Sequence, residues 1–145
     1  MPRPTVPHPP TRGVVARPTG HPGYSETLPR TPGSVATARS LVRTALATWG
    51  LEQLADAAVL VASELVTNAV QHARSDALRV VVTRPCAVCV RVAVVDKSRT
   101  LPTRCEAAED DEGGRGLALV ERLAVRWDTD PLPWGKCVWA ELEAL

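Results

Sequence analysis

The chain has 145 residues, enough for one domain of ordinary size and hardly enough for two. Its formal net charge of +1 gives no basic excess, which argues against a dedicated nucleic-acid binder. Hydrophobic residues make up 45% of the chain, but no apolar run approaches the roughly 20 residues that span a bilayer, and no apolar signal-peptide core follows the N-terminus. We therefore expect a soluble, cytoplasmic protein without a membrane partner.

The N-terminal segment differs in composition from the rest of the chain. Nine of the 13 Pro residues fall between Pro2 and Pro32, and residues 1–22 lack periodic apolar positions. Such a segment cannot offset the entropy of ordering, so it predicts a disordered tail. The domain itself is expected at 23–145, with a short strand near Tyr24–Leu28 at its entry.

Two helices are predicted next. Ser34 is a plausible N-cap for the first helix, and Gly50 ends it. The second helix is predicted from Leu51 to Ala73. Apolar residues recur at helical spacing along one of its faces: Leu54, Ala58, Val61, Leu65 and Ala69.

The remaining elements are mostly strands. A polar loop is predicted at 97–112, followed by a third helix that opens after the glycines at 113–116. The element order β-α-α-β-β-α-β-β predicts an α+β sandwich, with a mixed, mostly antiparallel sheet and helices on one face. The four strands are predicted at Leu78–Thr83, Val88–Val95, Val125–Thr129 and Lys136–Leu142.

The chain has four cysteines, and cytosolic thiols are normally reduced. Cys86 and Cys89 form a C-x-x-C pair in a predicted hairpin turn, which raises zinc or redox chemistry. No second pair completes a tetrahedral site, so small half-buried thiols are the preferred interpretation. The other two are Cys105 and Cys137.

The second helix carries the first candidate site. Glu64, Asn68 and His72 are spaced i, i+4, i+8 and share one helical face. A carboxylate and an amide at this spacing can converge on one hydrated cation or one water. Asn offers a neutral oxygen ligand that suits Mg²⁺ already neutralised by phosphates. The alternative is a solvated polar stripe on an amphipathic helix.

The glycines before the third helix are the second candidate. Gly113-Gly114-Arg115-Gly116-Leu117 allows backbone N–H groups to approach an anion, and a helix N-terminus adds positive potential for phosphate. The pattern matches neither a P-loop nor a Rossmann turn. A plain loop–helix junction is the alternative.

Asp96 is the third candidate, at the end of an apolar strand. Its carboxylate could accept a hydrogen bond from an exocyclic amine such as that of adenine, although such an Asp more often starts a turn. The acidic stretch at 106–112 indicates a solvated loop, of a kind that fits a mobile lid, rather than a metal site.

In this order, the segment 63–73, Asp96, the glycines at 113–116 and Gly135-Lys136 resemble the four sequence boxes of the Bergerat-fold (GHKL) ATPases, which include gyrase and sensor histidine kinases. Within that superfamily the chain is most similar to the anti-sigma-factor serine/threonine kinase group of actinobacterial regulators. The resemblance runs from about Tyr24 to the C-terminus, and it implies a Bergerat fold.

The resemblance implies ATP and Mg²⁺ as cofactors and assigns roles at the matching positions. Glu64 would be the general base or would polarise the nucleophile, Asn68 would bind Mg²⁺, and Asp96 would recognise the adenine amine. Gly114 and Gly116 would let the backbone close on the phosphates. The remaining predicted nucleotide-binding positions are His72, Gly113, Arg115 and Leu117.

Two departures from the family pattern touch adenine recognition and the lid hinge. The family has D-x-G-x-G after the adenine-binding Asp, whereas here Asp96 is followed by Lys97-Ser98-Arg99-Thr100. Cys137 stands where Thr is common.

By resemblance, the leading hypothesis is a kinase that phosphorylates an anti-sigma antagonist (STAS) protein and also holds a sigma factor inactive. The resemblance also implies a homodimer. The alternative is a catalytically inactive ATP-binding module for partner switching. A detached histidine kinase catalytic domain is a third hypothesis, but no helix pair with a phosphoacceptor His precedes the domain.

Overall fold

The computed structural model of the chain describes residues 14–16, 23–97 and 112–144. These residues form an antiparallel sheet with helices on one face, which confirms the predicted α+β architecture. The strands lie in the order β1-β2-β3-β4-β6-β5, and every described strand pair is antiparallel rather than mixed. The elements are β1 Val14–Ala16, β2 Gly23–Pro29, α1 Ser34–Trp49, a 3₁₀ turn Glu52–Leu54, α2 Ala55–His72, β3 Ala77–Thr83, β4 Cys89–Asp96, α3 Glu112–Leu123, β5 Arg126–Leu132 and β6 Gly135–Glu143.

The core lies between the sheet and the helices, and alternation along the strands places it there. Every second residue of a strand points to the same face. The valines at alternate positions of β3 and β4 are fully buried beneath the helices, together with the apolar stripes of α1 and α2. The chain has no Phe, and its aromatic side chains of the Trp and Tyr type number five, so Val, Leu and Ala fill most of this core.

The opposite face, here called the open face of the sheet, carries a charged cluster. Glu141 accepts hydrogen bonds from Arg91 and Arg126, and the Arg91 guanidinium lies 4.1 Å from the ring centroid of Trp139. Burial by itself raises the pKa of Glu141, but the hydrogen bonds and charges of Arg126 and Arg91 outweigh it and hold that pKa below its usual value. Glu141 is therefore a buried carboxylate with both of its partners on neighbouring strands.

The first helix begins one residue earlier than predicted. Gly33 occupies the N-cap position and Ser34 is the first helical residue, so the predicted Ser34 cap is wrong. The Ser34 hydroxyl instead donates to the Pro29 carbonyl at 2.5 Å and ties the helix start to the end of β2. Gly50 ends the helix with a left-handed φ of 71°, as a C-terminal glycine does.

The predicted second helix is divided in the structure. Leu51 leaves helical geometry at φ −113° and ψ 37°, a 3₁₀ turn follows, and α2 begins at Ala55. The span Glu52–His72 is long and apolar enough to cross a membrane by length and composition alone, whereas no apolar run of that length was predicted. Half of that span is buried, because α2 packs against α1, α3 and β4 as the central helix of the core.

The end of α2 is fixed by Arg30, which follows β2. Its side chain donates to the Val70 carbonyl at 3.2 Å and to the Ser75 carbonyl at 2.7 Å, while its backbone N–H donates to the Asp76 carbonyl. Carbonyls at a helix C-terminus lack helical partners and need such donors. Arg30 thereby joins the end of β2 to the loop between α2 and β3.

The N-terminal segment differs from the prediction at three residues. Val14–Ala16 form β1 and pair with Tyr24–Glu26 of β2, where a disordered tail was expected. Residues 1–13 and 17–22 of the predicted tail lie outside the described residues.

Candidate functional site

The polar face of α2 is turned away from α1. Arg39 of α1 donates to the Ser63 hydroxyl at 2.7 Å, which marks the side of α2 that faces α1. Asn68 follows five residues later, about 140° around a helix with 3.6 residues per turn. It therefore lies on the side of α2 away from α1; α3 is the other helix that α2 contacts.

The three predicted polar residues of α2 are not equally placed. Glu64 and Asn68 are half-buried, whereas His72 is exposed in the last turn of the helix. Half-burial leaves the Glu64 carboxylate and the Asn68 amide restrained by neighbours but still accessible to a ligand. His72 lies at the negative end of the helix dipole, where a cation is favoured.

The glycine segment lies inside a helix rather than ahead of it. α3 begins at Glu112, so residues 113–116 fall within its first turns, and the prediction that they form a turn before the helix is wrong. The first four N–H groups of a helix have no helical partner, so the N-terminal part of α3 still presents donors suited to an anion. Leu117 and Val120 are buried and fix the helix on the core.

Asp96 is the last residue of β4 and continues the alternation of its core-facing valines. Its side chain is 1% exposed and lies on the same face of the sheet as α2 and α3. The structure therefore brings Asp96 under the helix layer, on the side of the sheet that carries Glu64, Asn68 and the start of α3. Residues 98–111, which include the predicted lid and the acidic stretch as far as Asp111, lie outside the described residues, and Glu112 is the first residue of α3.

Lys136 is a site residue for which the sequence predicted no role. It is directly opposite Asp96 in the β4–β6 register, and its ammonium lies 3.4 Å from Asp96 Oδ1. Its side chain is only 6% exposed, so the pair forms a buried ion pair. The available signal was the Gly-Lys pair at the start of a strand, but the strand register that pairs it with Asp96 could not be read from sequence.

Gly135 allows this close arrangement. A Cβ atom at this position would overlap the Asp96 carbonyl oxygen and lie 2.7 Å from Lys97 Cα, closer than real Cβ atoms come to backbone. No side chain is therefore tolerated where β6 begins unless the end of β4 moves. The Gly135-Lys136 pair fixes the position of Asp96 through both backbone and charge.

Cys137 does not belong to this cluster. It is opposite Val95 and Asp130 in the register, so its thiol points to the open face, away from Asp96 and Lys136. The structure therefore shows no contact through which Cys137 would affect adenine recognition at Asp96. Burial, with added repulsion from Asp130, raises the pKa of this thiol to about 11, so it is protonated at neutral pH.

The C-x-x-C pair is not two free thiols. Cys86 and Cys89 form a disulfide across the turn between β3 and β4, with their Cα atoms 5.0 Å apart. The prediction of reduced, half-buried thiols is wrong for this pair. A zinc site is also ruled out for the disulfide form, because a metal ligand must be a thiolate.

The donor set suits Mg²⁺ only together with a phosphate ligand. In the described part of the chain, no three His, Cys, Asp or Glu side chains come together to hold a metal. Asn68 with Glu64 beside it would supply one or two oxygens, and Mg²⁺ in nucleotide sites takes its other ligands from phosphates and water.

The geometry describes an α/β sandwich with a polar helix face, a helix N-terminus and a buried carboxylate on one side of an antiparallel sheet. Residues 28–142 match the family model of the histidine kinase-like ATPase domain, so the chain belongs to that family of ATP-binding domains. The predicted GHKL-type fold is thereby confirmed.

A solved structure, the histidine kinase domain of the blue-light activated histidine kinase from Erythrobacter litoralis EL346, is similar at 23% sequence identity and a TM-score of 0.47. The match covers 79% of this chain and 61% of that one. No curated protein matches the sequence.

Proposed function

We propose that this protein is a cytoplasmic, ATP-dependent regulator that phosphorylates serine or threonine on an anti-sigma antagonist of the STAS type and binds a sigma factor. Glu64 acts as general base, Asn68 binds Mg²⁺ through its amide oxygen, and Asp96 accepts a hydrogen bond from the adenine amine. The N–H groups at the start of α3, within Gly113–Gly116, receive the phosphates.

The observation that carries the proposal is the common placement of these groups. The Asp96 side chain, the Asn68 side of α2 and α3 occupy the same face of the sheet. Phosphoryl transfer requires mainly positioning and charge stabilisation. A base, a metal ligand and the N–H donors at the start of α3 supply these. Simple nucleotide binding needs no carboxylate at Glu64, so a half-buried Glu64 favours an enzyme over a binder.

A catalytically inactive partner-switching module is the second candidate. It is favoured by one observation: Asp96 is already engaged by Lys136, so the adenine amine must share that carboxylate with an ammonium group. In that case ATP would set partner affinity without being consumed, and the kinase experiment below separates the two candidates.

Asn68→Ala is expected to remove measurable Mg·ATP binding, because it deletes the amide oxygen that would hold the metal. Titration calorimetry on wild type should give a dissociation constant between micromolar and millimolar, corresponding to about −4 to −8 kcal/mol. Gln71→Ala is the matched control, since Gln71 is exposed on the same helix. Folded wild-type protein that gives no heat with millimolar Mg·ATP would falsify the nucleotide-binding proposal.

Glu64→Ala is expected to lower phosphoryl transfer by about 10²–10⁴-fold, the usual contribution of a general base. Labelled ATP is incubated with the protein and purified STAS-domain candidates, and phosphoserine or phosphothreonine is quantified. ATP affinity should stay within a few-fold of wild type. Transfer that survives Glu64→Ala removes the base role, and ATP binding without transfer to any candidate supports the inactive module.

A further inference from the structure

We propose that Cys86 and Cys89 form a reversible dithiol–disulfide pair that exchanges with small thiols at the Cys86 sulfur, with Arg84 as a positioning residue for the thiolate. This site lies at the β3–β4 turn, here called the cysteine turn and comprising Arg84–Cys89. It is at the opposite end of β4 from Asp96, and the proposal does not depend on nucleotide binding.

The backbone of the cysteine turn holds the two cysteines together. Cys89 N–H donates to the Cys86 carbonyl at 3.2 Å, and Ala144 N–H donates to the Val88 carbonyl at 2.8 Å, which ties the turn to the end of β6. The Cα separation of 5.0 Å lies inside the range that a disulfide requires. Since the strands and hydrogen bonds set this separation, the two thiols remain within bonding reach after the S–S bond opens.

The two cysteine residues differ in exposure. Cys86 is exposed at the tip of the turn, whereas Cys89 is half-buried as the first residue of β4. Thiol–disulfide exchange depends on which sulfur an incoming thiolate can reach. The arrangement therefore directs attack to Cys86 and makes Cys89 the leaving group.

Arg84 places a cation inside the same turn. Its Nη2 donates to the Ala87 carbonyl at 2.9 Å, between the two cysteines in sequence. Its Nε is buried and has no hydrogen-bond partner among the described residues. A buried N–H without a partner is costly, so this N–H is available to an acceptor that forms in the turn. A guanidinium beside a cysteine stabilises the thiolate form and so favours exchange.

Cys137 differs from the pair in the cysteine turn in its expected reactivity. That thiol is free and half-buried on the open face, and burial with the charge of Asp130 raises its pKa to about 11. The thiolate is the reactive form, so Cys137 is expected to be inert at neutral pH. Of the cysteines that the structure describes, the pair in the cysteine turn is the one placed for exchange.

The reaction balances with a monothiol as reductant. Its thiolate attacks Cys86 Sγ, an S–S bond forms between them, the Cys86–Cys89 bond breaks, and Cys89 leaves as a thiolate. A second thiolate attacks the small-molecule sulfur of the mixed disulfide and releases the Cys86 thiolate. Two thiols become one small-molecule disulfide and the protein gains two thiols. In the reverse direction, the Cys89 thiolate attacks the mixed disulfide at Cys86.

The test uses the full chain with Cys105→Ser and Cys137→Ser, so that only the pair remains. The protein is equilibrated in glutathione buffers of graded redox poise, quenched with acid, alkylated and mapped by mass spectrometry. As the buffers become more oxidising, we expect the number of alkylated thiols in the pair to fall from two to none, with the redox dependence of a two-electron couple. Two further variants carry Cys89→Ser or Cys86→Ser in this background. Glutathione should attach to Cys86 in the first variant at least tenfold faster than it attaches to Cys89 in the second.

Three results would overturn the proposal. In the first, both thiols are still alkylated after incubation with oxidised glutathione, so no disulfide forms. In the second, no excess of reduced glutathione opens the disulfide. In the third, glutathione attaches to Cys86 and to Cys89 at equal rates in the two single variants. Arg84→Gln tests the positioning role, because it should shift the pH profile of alkylation of the reduced pair to higher pH. An unchanged profile removes Arg84 from the proposal.

Discussion

Replacing Lys136 by Met should lower the free energy of unfolding by about 3–5 kcal/mol, the cost of leaving one member of a buried ion pair without its partner. Asp96 is 1% exposed and its Oδ1 lies 3.4 Å from the Lys136 ammonium, so little solvent is available to stabilise the carboxylate alone. Urea unfolding followed by circular dichroism measures the change.

A double-mutant cycle separates charge from packing in this prediction. Adding Asp96→Asn to Lys136→Met removes the buried charge that has lost its Lys136 counterion and should restore more than half of the lost stability, because coupling between paired residues is non-additive. Lys136→Arg keeps the charge and serves as the conservative control. A loss below about 1 kcal/mol in Lys136→Met would mean that the pair is not the buried contact described here.

Gly135→Ala should impair the site through the backbone alone. The added methyl group would overlap the Asp96 carbonyl and approach Lys97 Cα to 2.7 Å, so the end of β4 must move. We expect a loss of about 1–3 kcal/mol in stability, typical of overpacking, and at least a tenfold loss of ATP affinity. Chemical unfolding and calorimetry with Mg·ATP check the two parts separately.

Gly33→Ala is the matched control for this substitution. Gly33 has an ordinary φ of −65°, and an added Cβ atom would meet no atom within 4 Å. Its stability should change by less than about 1 kcal/mol, with ATP affinity unaffected. Equal effects of the two substitutions would contradict the assigned role of Gly135 as a close-approach position.

Much of the fold was predictable because the strands and helices of this chain have strong local signals. The valines at alternate positions predicted β3 and β4, and Gly50 predicted the end of α1. The division at Leu51 could not be predicted, because its apolar side chain fits the helical pattern while its backbone leaves it. The strand at Val14–Ala16 was missed because it depends on pairing with β2, not on local composition.

The candidate site was predictable only where neighbours in sequence define it. Helical spacing placed Glu64 and Asn68 on one face of α2, and the end of an apolar strand singled out Asp96. The Asp96–Lys136 pair depends on strand register across 40 residues. The disulfide was missed for a different reason: reduced thiols were expected from the cellular compartment, whereas the turn geometry brings the sulfur atoms together.

The position of β6 has a consequence for assembly. It follows every other described element in the chain, yet it lies between β4 and β5 in the sheet. Asp96 therefore gains its ion-pair partner only when β6 pairs with β4, and bringing these two strands together closes a loop of 40 residues at a cost in chain entropy. Any state of the chain in which β6 is detached from β4 separates Asp96 from Lys136, so the candidate nucleotide site depends on the last strand of the chain as well as on α2.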